Sequence, residues 1–202
     1  MSEGRVVRVV LKGVTKRFGS TTVLRGVDGV LEAGGTVVTG ANGAGKSTVI
    51  DAITGRRRLT RGRVHLGGED VSELGAVERR KRGLSRSFQR TSIFAGMPVR
   101  KQVELASYKM GVSDSVDDAE AVLRELDLSR LGEVIAGDLG YGEQRRLDLA
   151  LALVGRPKLL MLDEPMAGLS VKESLDLAQH LKALTSRWSV SVLLVEHDMD
   201  VV

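Results

Sequence analysis

The chain has 202 residues, which suits one compact domain with a small inserted subdomain, and its 42% of hydrophobic residues can form a core. Lysine and arginine total 30 against 26 acidic residues, and this small excess, without a long basic stripe, argues against a nucleic-acid partner. Cysteine is absent, which excludes disulfides and fits the cytoplasm. The sequence contains no run of about 18 apolar residues, so we expect any role at a membrane to need a partner.

Strands are predicted at the start of the chain. Residues 6–11 and the apolar stretch 27–31 have strand character, and residues 36–39 form a short β-branched strand. The third strand runs directly into a glycine-rich loop at residues 40–48, and the helix that follows is expected to end at Gly55. A strand, a glycine loop and a helix in this order are the setting that a phosphate-binding loop requires.

The glycine-rich loop matches the pattern of a phosphate-binding P-loop. Its residues are Gly40, Ala41, Asn42, Gly43, Ala44, Gly45, Lys46 and Ser47, and Thr48 follows them. The glycines allow backbone N–H groups to turn toward phosphate oxygens, and the helix N-terminus adds its dipole. Lys46 is predicted to reach the β- and γ-phosphates, and the hydroxyl of Ser47 to hold Mg²⁺. The alternative is an ordinary glycine-rich turn, which the flanking strand and helix disfavour.

From about residue 89 to residue 156 the pattern becomes helical. Residues 115–118 resemble a capping box, and apolar residues recur after them at helical spacing. Another helix is predicted to begin near Glu143 and to end before Gly155 and Pro157.

Buried-strand patterns return after this helical stretch. Residues 159–162 are a continuous apolar run, typical of a buried parallel strand, and residues 190–195 are another. A helix that begins at Ser170 separates them. The chain is therefore predicted to have an α/β core into which a helical subdomain is inserted. The predicted divisions are residues 1–88 and 156–202 for the core and residues 89–155 for the subdomain.

Four polar residues are candidates for catalysis or metal binding. Asp163 and Glu164 follow a buried strand, at the carboxyl end where ligands bind in open α/β sheets. Asp163 is predicted to engage Mg²⁺ through water, and Glu164 to polarise the attacking water as general base. His197, just after the last buried strand, is predicted to hydrogen-bond the γ-phosphate and the attacking water. Gln89 is a candidate for contact with Mg²⁺ or water, although a solvated glutamine is the default interpretation.

A second anion-binding arrangement lies at residues 139–147, the signature segment. Its leading residues are Gly140, Tyr141, Gly142 and Glu143, so two glycines one residue apart precede a helix. One chain rarely needs two phosphate sites for one nucleotide, so we predict a head-to-tail dimer in which each copy completes the site of its partner. The alternative is a helix cap.

Taken together, these segments resemble the ATPase subunits of ABC transporters over nearly the whole chain. The resemblance implies an α/β P-loop NTPase (RecA-like) core with an inserted helical subdomain and an N-terminal β region. It also implies ATP and Mg²⁺ as cofactors, with hydrolysis coupled to transport across a membrane. Phe18 is implied to stack on adenine, and two subunits are implied to enclose two ATPs between the P-loop of one and the signature segment of the other.

A narrower resemblance concerns the branched-chain amino-acid importers. It rests on the wording of residues 86–90, 141–147, 166–170 and 195–199, which urea or amide importers and lipopolysaccharide-export ATPases share in part. It implies transmembrane permease subunits as partners, and a peripheral position on the cytoplasmic face of the cell membrane. The substrate is expected to be a branched-chain amino acid or a similar small polar solute.

The chain departs from the family in three places. Ala41 stands where the family often has proline, and Gly140 stands where it usually has serine. The chain also ends at Val202, where family members usually continue, and we expect elements that cover the last strands to be missing. Without the serine hydroxyl one ATP site is expected to close less tightly, so we favour a heterodimer with a related ATPase subunit over a homodimer.

Two other functions compete with a transport ATPase. A binding-only module or fragment with little turnover is favoured by Gly140 and the early end of the chain. A soluble DNA-repair or translation protein would need long coiled coils or a tandem second cassette, and neither is found in the sequence. Residues 91–98 are apolar for a loop, so we predict that a membrane partner docks there, with the alternative that Ile93, Phe94 and Met97 belong to the core.

Overall fold

The computed structural model describes residues 8–32, 36–38, 43–87 and 92–195, which form eight strands and six α-helices. In chain order these are β1 (Val9–Phe18), β2 (Thr21–Leu31), β3 (Thr36–Val38), α1 (Lys46–Ile53), β4 (Arg61–Leu66), β5 (Glu69–Asp70), α2 (Ala76–Lys81), β6 (Leu84–Arg86), α3 (Val99–Lys109), α4 (Ser115–Glu125), α5 (Tyr141–Leu153), β7 (Leu159–Asp163), α6 (Val171–Arg187) and β8 (Ser191–Val195). No helix within these ranges is long and apolar enough to cross a membrane.

The strands form two four-stranded sheets. The strands β3, β8, β7 and β6 lie side by side in that order, and every neighbouring pair is parallel. The strands β2, β1, β4 and β5 form an antiparallel sheet. In the parallel sheet, β8 lies between β3, which leads to the P-loop, and β7, which carries the two candidate carboxylates. Because these strands are parallel neighbours, the end of β3 that precedes the P-loop and the end of β7 that carries the candidate carboxylates lie at the same edge of the sheet.

The parallel sheet separates two apolar clusters. Leu159 and Met161 of β7 pack with α1 and the antiparallel sheet. Leu160 and Leu162, which point to the opposite face, pack with α3, α4, α5 and α6. All five residues of β7 are buried, because both faces of the strand are covered.

Several predicted elements are confirmed. The β-branched strand, the two late buried strands and the helix capped by Ser170 are present, and the Ser170 hydroxyl accepts a hydrogen bond from the N–H of Glu173. The first residues of the strand predicted at 6–11 lie outside the described residues. Within the described residues, β1 begins at Val9 and continues beyond the predicted end to Phe18. The division into a core and a subdomain at residues 88/89 and 155/156 stays a prediction.

Two predicted helix starts are wrong by one or two residues. The N-cap of α4 is Asp114, not Ser115, because the Asp114 carboxylate accepts from the N–H of Asp117 at 3.0 Å. The helix predicted near Glu143 begins at Tyr141. This earlier start makes Gly140 the N-cap and places Gly142 in the first helical turn.

A buried arginine holds the end of the P-loop helix. The Arg79 side chain is 1% exposed, and its guanidinium donates to the carbonyls of Ala52 at 2.7 Å and Ile53 at 2.6 Å. It also donates to the carbonyls of Ser72 and Leu74. Burial lowers the pKa of Arg79 from its ordinary value. The arginine thus satisfies carbonyls at the C-terminus of α1 that the helix itself leaves without partners.

Replacing Arg79 with methionine should destabilise the fold strongly, because several buried carbonyls would lose their donor. We expect Arg79→Met to lower the free energy of unfolding by at least about 3 kcal/mol, measured by urea denaturation. The control is Arg82→Met, which removes a largely exposed ion pair with Glu69 and should cost less than about 1 kcal/mol. Equal losses in the two variants would contradict this role of Arg79.

Candidate nucleotide-binding site

The P-loop joins α1 through two glycines in the left-handed region. Gly43 has φ +80° and Gly45 has φ +92°, and Gly45 is the N-cap of α1. A Cβ on Gly45 would also lie 3.2–3.3 Å from the side chains of Leu24 and Val23, so both conformation and space favour glycine there. The predicted site residues Gly40, Ala41 and Asn42 lie outside the described residues.

The first turn of α1 is electrostatically suited to an anion. Lys46 begins the helix and is 8% exposed, Ser47 is exposed, and Thr48 is half-buried. This turn carries no acidic residue, so no carboxylate of its own neutralises the positive end of the helix dipole. Lys46 adds a full positive charge to it. A phosphate group fits this turn on both counts.

The two candidate carboxylates end β7. Asp163 is the last residue of the strand and is 3% exposed. Glu164 is half-buried and adopts a left-handed conformation with φ +51°, which costs a non-glycine residue about 1–3 kcal/mol. The N–H of Glu164 donates to the carbonyl of Val195 at 2.9 Å, which ties this strained turn to the end of β8. Strain of this kind concentrates at functional sites.

The remaining predicted catalytic residues, His197 and Gln89, lie outside the described residues. Their neighbours nevertheless converge on one edge. Asp163 pairs in register with Val195, two residues before His197. Arg86, three residues before Gln89, pairs with Met161 of β7.

A buried ionic link between the P-loop helix and Asp163 was not predicted from the sequence. One terminal N–H group of Arg86 donates a hydrogen bond to the carboxylate of Asp51 in α1, and the other terminal nitrogen donates to that of Asp163, at 2.9 Å. The side chains of Arg86 and Asp163 are only 10% and 4% exposed. The sequence carries only a weak signal for this link: Arg86 ends a short strand, and Asp51 follows Lys46 by five positions.

Phe18 lies at the end of β1 and is 41% exposed. Its ring faces two cations, the ammonium of Lys16 at 5.1 Å and the guanidinium of Arg57 at 5.4 Å from the ring centroid. Arg57 also pairs with Asp51 at 3.5 Å. The ring is therefore accessible and adjoins the P-loop helix, although its contact with a base stays a prediction.

The first turn of α5 already holds two carboxylates of the chain. Gly140 is exposed, and its N–H donates to the carboxylate of Glu143 at 2.9 Å. Gly142 is buried against Glu173 of α6, and a Cβ there would lie 2.4 Å from a carboxylate oxygen of Glu173. Hydrogen bonds from Ser170, with a further one from the N–H of Gly142, hold the pKa of Glu173 below its ordinary value.

The signature segment also contacts the loop before α6. The hydroxyl of Tyr141 donates to the carbonyl of Ala167 at 3.1 Å, and Arg145 stacks over the Tyr141 ring at 5.5 Å. The signature helix and residues 167–173 are thus joined within one chain.

A cleft of about 460 Å³ lies on the side of Arg86 that faces α2 and α5. Its polar lining consists of Thr54, Arg56, Arg80, Ser85, Arg86, Ser92 and Asp148. Arg80 donates to the carbonyls of Ala152 and Val154 at the end of α5, and burial lowers its pKa to about 10.

The loop beside this cleft is held in place and exposes an aromatic ring. Gln102, 1% exposed, accepts from the N–H of Phe94 and donates to the carbonyl of Met97, while Ser92 donates to Asp148. The Phe94 side chain is 62% exposed. The interpretation of Phe94 as a core residue is therefore wrong, whereas Ile93 packs partly against the helical cluster.

Comparison with known proteins places these features in a family. The sequence profile described as ABC transporter matches residues 24–167. The branched-chain amino acid transport ATP-binding protein BraF of Pseudomonas aeruginosa is 34% identical over 95% of this chain and 82% of its own length, and LivG of Escherichia coli is 31% identical over the same shares. The Fe(3+) ions import ATP-binding protein FbpC of Vibrio cholerae is 32% identical over 94% of this chain and 54% of its own length.

Solved structures agree with this assignment. The ADP conformation of MJ1267, an ATP-binding cassette of an ABC transporter, superposes with a TM-score of 0.85 at 28% identity, over 97% of this chain and 82% of that one. A nucleotide-free ATP-binding cassette gives the same TM-score at 27% identity, over 96% and 83%. The predicted P-loop α/β fold is therefore confirmed. The chain belongs to the ABC transporter family, as an ATP-binding subunit that couples ATP hydrolysis to transport.

Proposed function

We propose that the chain hydrolyses Mg²⁺-bound ATP in an importer of branched-chain amino acids or of a similar small polar solute. BraF and LivG, which are ATP-binding proteins of branched-chain amino acid transport, support the substrate class, whereas FbpC, a cassette of similar identity, serves the import of Fe(3+) ions. The observation that carries the catalytic part is the ionic link through Arg86. Through this link, a single guanidinium contacts both Asp163 at the end of β7 and Asp51 in the P-loop helix.

The residues of this edge suit ATP and Mg²⁺. Backbone amides of the P-loop and Lys46 would bind the phosphates. The hydroxyl of Ser47 and the carboxylate of Asp163, with Gln89, offer the oxygen ligands that Mg²⁺ prefers, and phosphate oxygens complete such sites. Mg²⁺ would neutralise phosphate charge during transfer.

Glu164 is the proposed general base, and His197 would orient the attacking water and the γ-phosphate. The strained backbone at Glu164 and its hydrogen bond to β8 would fix the direction of the carboxylate. The competing function, a binding-only module, keeps the phosphate-binding groups and lacks turnover. The activity of the purified chain, alone and with its permease, distinguishes the two.

The dimer we propose is head-to-tail, with the first turn of α5 facing the ATP of the partner subunit. Gly140 offers an exposed backbone at that turn and no hydroxyl. In a homodimer both ATP sites would lack the hydroxyl, whereas in a heterodimer with a related subunit only one would. The heterodimer is therefore the favoured assembly.

The permease is proposed to dock at the cleft beside Arg86 and at residues 92–98, on the cytoplasmic face of the membrane. An exposed aromatic ring on a loop held by buried hydrogen bonds loses little conformational entropy on binding. This supports a contact role for Phe94.

Glu164→Gln should bind ATP but hydrolyse it slowly, because glutamine keeps the shape of the side chain and loses its basicity. We expect hydrolysis to fall by roughly 10²–10⁴-fold, measured as phosphate release, while ATP affinity stays near that of the wild type. Glu78→Gln, an exposed change on α2, is the control. Near-normal turnover of Glu164→Gln would remove Glu164 from the mechanism.

Gly140→Ser should strengthen ATP-dependent dimerisation and raise turnover. A hydrogen bond to a charged phosphate is worth about 1.5–3 kcal/mol for each site. A Cβ on Gly140 meets only a carboxylate oxygen of Glu143, at 3.6 Å, so serine should fit without strain. Analytical ultracentrifugation with ATP would measure the effect, with Gly96→Ser, also in open space, as the control. No change in Gly140→Ser would mean that the backbone alone sets the strength of this site.

Phe94→Ala should weaken assembly with the permease and leave ATP binding unchanged, since the ring is exposed and is not one of the proposed nucleotide-binding groups. Co-purification with the permease subunits in detergent would measure assembly, and isothermal titration would measure ATP affinity. Tyr108→Ala is a matched control, because Tyr108 is an aromatic residue of α3 that is 67% exposed. If both variants assemble equally well, the docking surface does not include Phe94.

A further inference from the structure

Arg86, the last residue of β6, joins two carboxylates that belong to different elements. One terminal nitrogen donates to Oδ1 of Asp51 in α1, and the other donates to Oδ2 of Asp163 at the end of β7, at 2.9 Å. The three side chains are 10%, 18% and 4% exposed in the order Arg86, Asp51, Asp163. Arg86 therefore takes the place of water around both carboxylates.

Stability alone does not account for this buried ion cluster. The strands β6 and β7 are already joined by their parallel register and by a hydrogen bond from the N–H of Ser87 to the carbonyl of Met161 at 3.0 Å. Removing charges from water is costly, and apolar residues of similar volume often stabilise a protein equally well or better. A buried cluster at this place is better explained by the geometry that it imposes.

The guanidinium fixes that geometry because its donors have a rigid, planar arrangement. One carboxylate belongs to the helix that follows the P-loop, and the other follows the strand that leads to Glu164. Asp51 is held a second time, since its Oδ2 pairs with Arg57 at 3.5 Å. This arrangement fixes the position of the Asp163 carboxylate relative to α1. The bond to Arg86 uses Oδ2 of Asp163 and does not involve Oδ1.

We propose that Arg86 is a positioning residue that holds the Asp163 carboxylate at a set distance from the P-loop helix, ready for the Mg²⁺ of bound ATP. This inference rests on the proposed function. Without Arg86, the two largely buried carboxylates of Asp51 and Asp163 would repel each other with no cation between them, so that Asp163 would turn away. That change would move the carboxylate from the place where it could reach the metal. Lysine has a single ammonium and cannot form the same planar pair of bonds.

The test is the Mg²⁺ dependence of nucleotide binding by the full chain, in which no hydrolysis is measured. A fluorescent ATP analogue is titrated over a range of Mg²⁺ concentrations, and separately in EDTA. For Arg86→Lys and Arg86→Gln, the Mg²⁺ concentration at half-maximal effect should rise by roughly 10–100-fold, as for other residues that orient a metal ligand. Affinity in EDTA should stay unchanged, because the P-loop is intact.

Arg100→Lys is the matched control. Arg100 also pairs with two carboxylates, those of Glu120 and Glu133, but belongs to α3 in the helical part of the chain. This variant should keep the Mg²⁺ dependence of the wild type. Both variants are expected to lower the melting temperature, but only Arg86→Lys should change the Mg²⁺ dependence. That result would show that Arg86 positions the carboxylate in addition to any effect on stability.

Two results would overturn the proposal: an unchanged Mg²⁺ dependence in Arg86→Lys, or a higher Mg²⁺ affinity in Arg86→Gln, which would mean that Arg86 competes with the metal. If the Arg86 variants fail to fold, Asp51→Asn removes the other end of the link and should raise the half-maximal Mg²⁺ concentration in the same direction, and its failure to do so would equally overturn the proposal. A wild-type chain that binds no ATP would instead contradict the proposed function.

Discussion

The burial of β7 on both faces is the constraint on which the rest of the fold depends. Leu159 and Met161 complete one apolar cluster and Leu160 and Leu162 complete the other, so the helices α3–α6 and the antiparallel sheet are held against the same strand. A strand that is apolar at four consecutive positions cannot place a charge before its end. Asp163 is therefore the first position at which the chain can present a carboxylate, at the edge where the parallel strands end.

A row of contacting side chains runs from this edge to the surface. Asp163 pairs with Arg86, Arg86 with Asp51, and Asp51 with Arg57, which faces the ring of Phe18 at 5.4 Å. Charges alternate along the row, so each buried group has a partner of opposite sign and its desolvation is offset. Asp51 of α1 lies in the middle. The helix that begins at Lys46 thus connects the proposed metal ligand to the proposed base-stacking residue.

Sequence patterns predicted the elements whose signal is local. The late parallel strands are continuous apolar runs, and Ser170 with Glu173 forms a complete capping box within four residues. The elements β4, α2 and β6 were missed because they are short and mostly polar: β4 begins with three exposed residues. Arg86 was missed for a different reason, since its partners lie 35 and 77 positions away and only the fold brings them together. Local periodicity carries no information about such pairs.

The signature helix shows how a second kind of misjudgement arises. Both glycines of the signature segment were predicted to precede the helix, yet Gly142 lies in the first turn of α5, where a side chain would collide with Glu173. The same contact has an electrostatic consequence for the proposed dimer. The amides of Gly140 and Gly142 face the carboxylates of Glu143 and Glu173, so a phosphate that approaches this turn meets two negative charges as well as the helix dipole. Glu173 is also bonded to Ser170, directly after the loop that receives the Tyr141 hydroxyl. An anion could therefore take the amide of Gly142 only if α5 and the start of α6 move relative to each other, which would make the strength of this site depend on the position of residues 167–170.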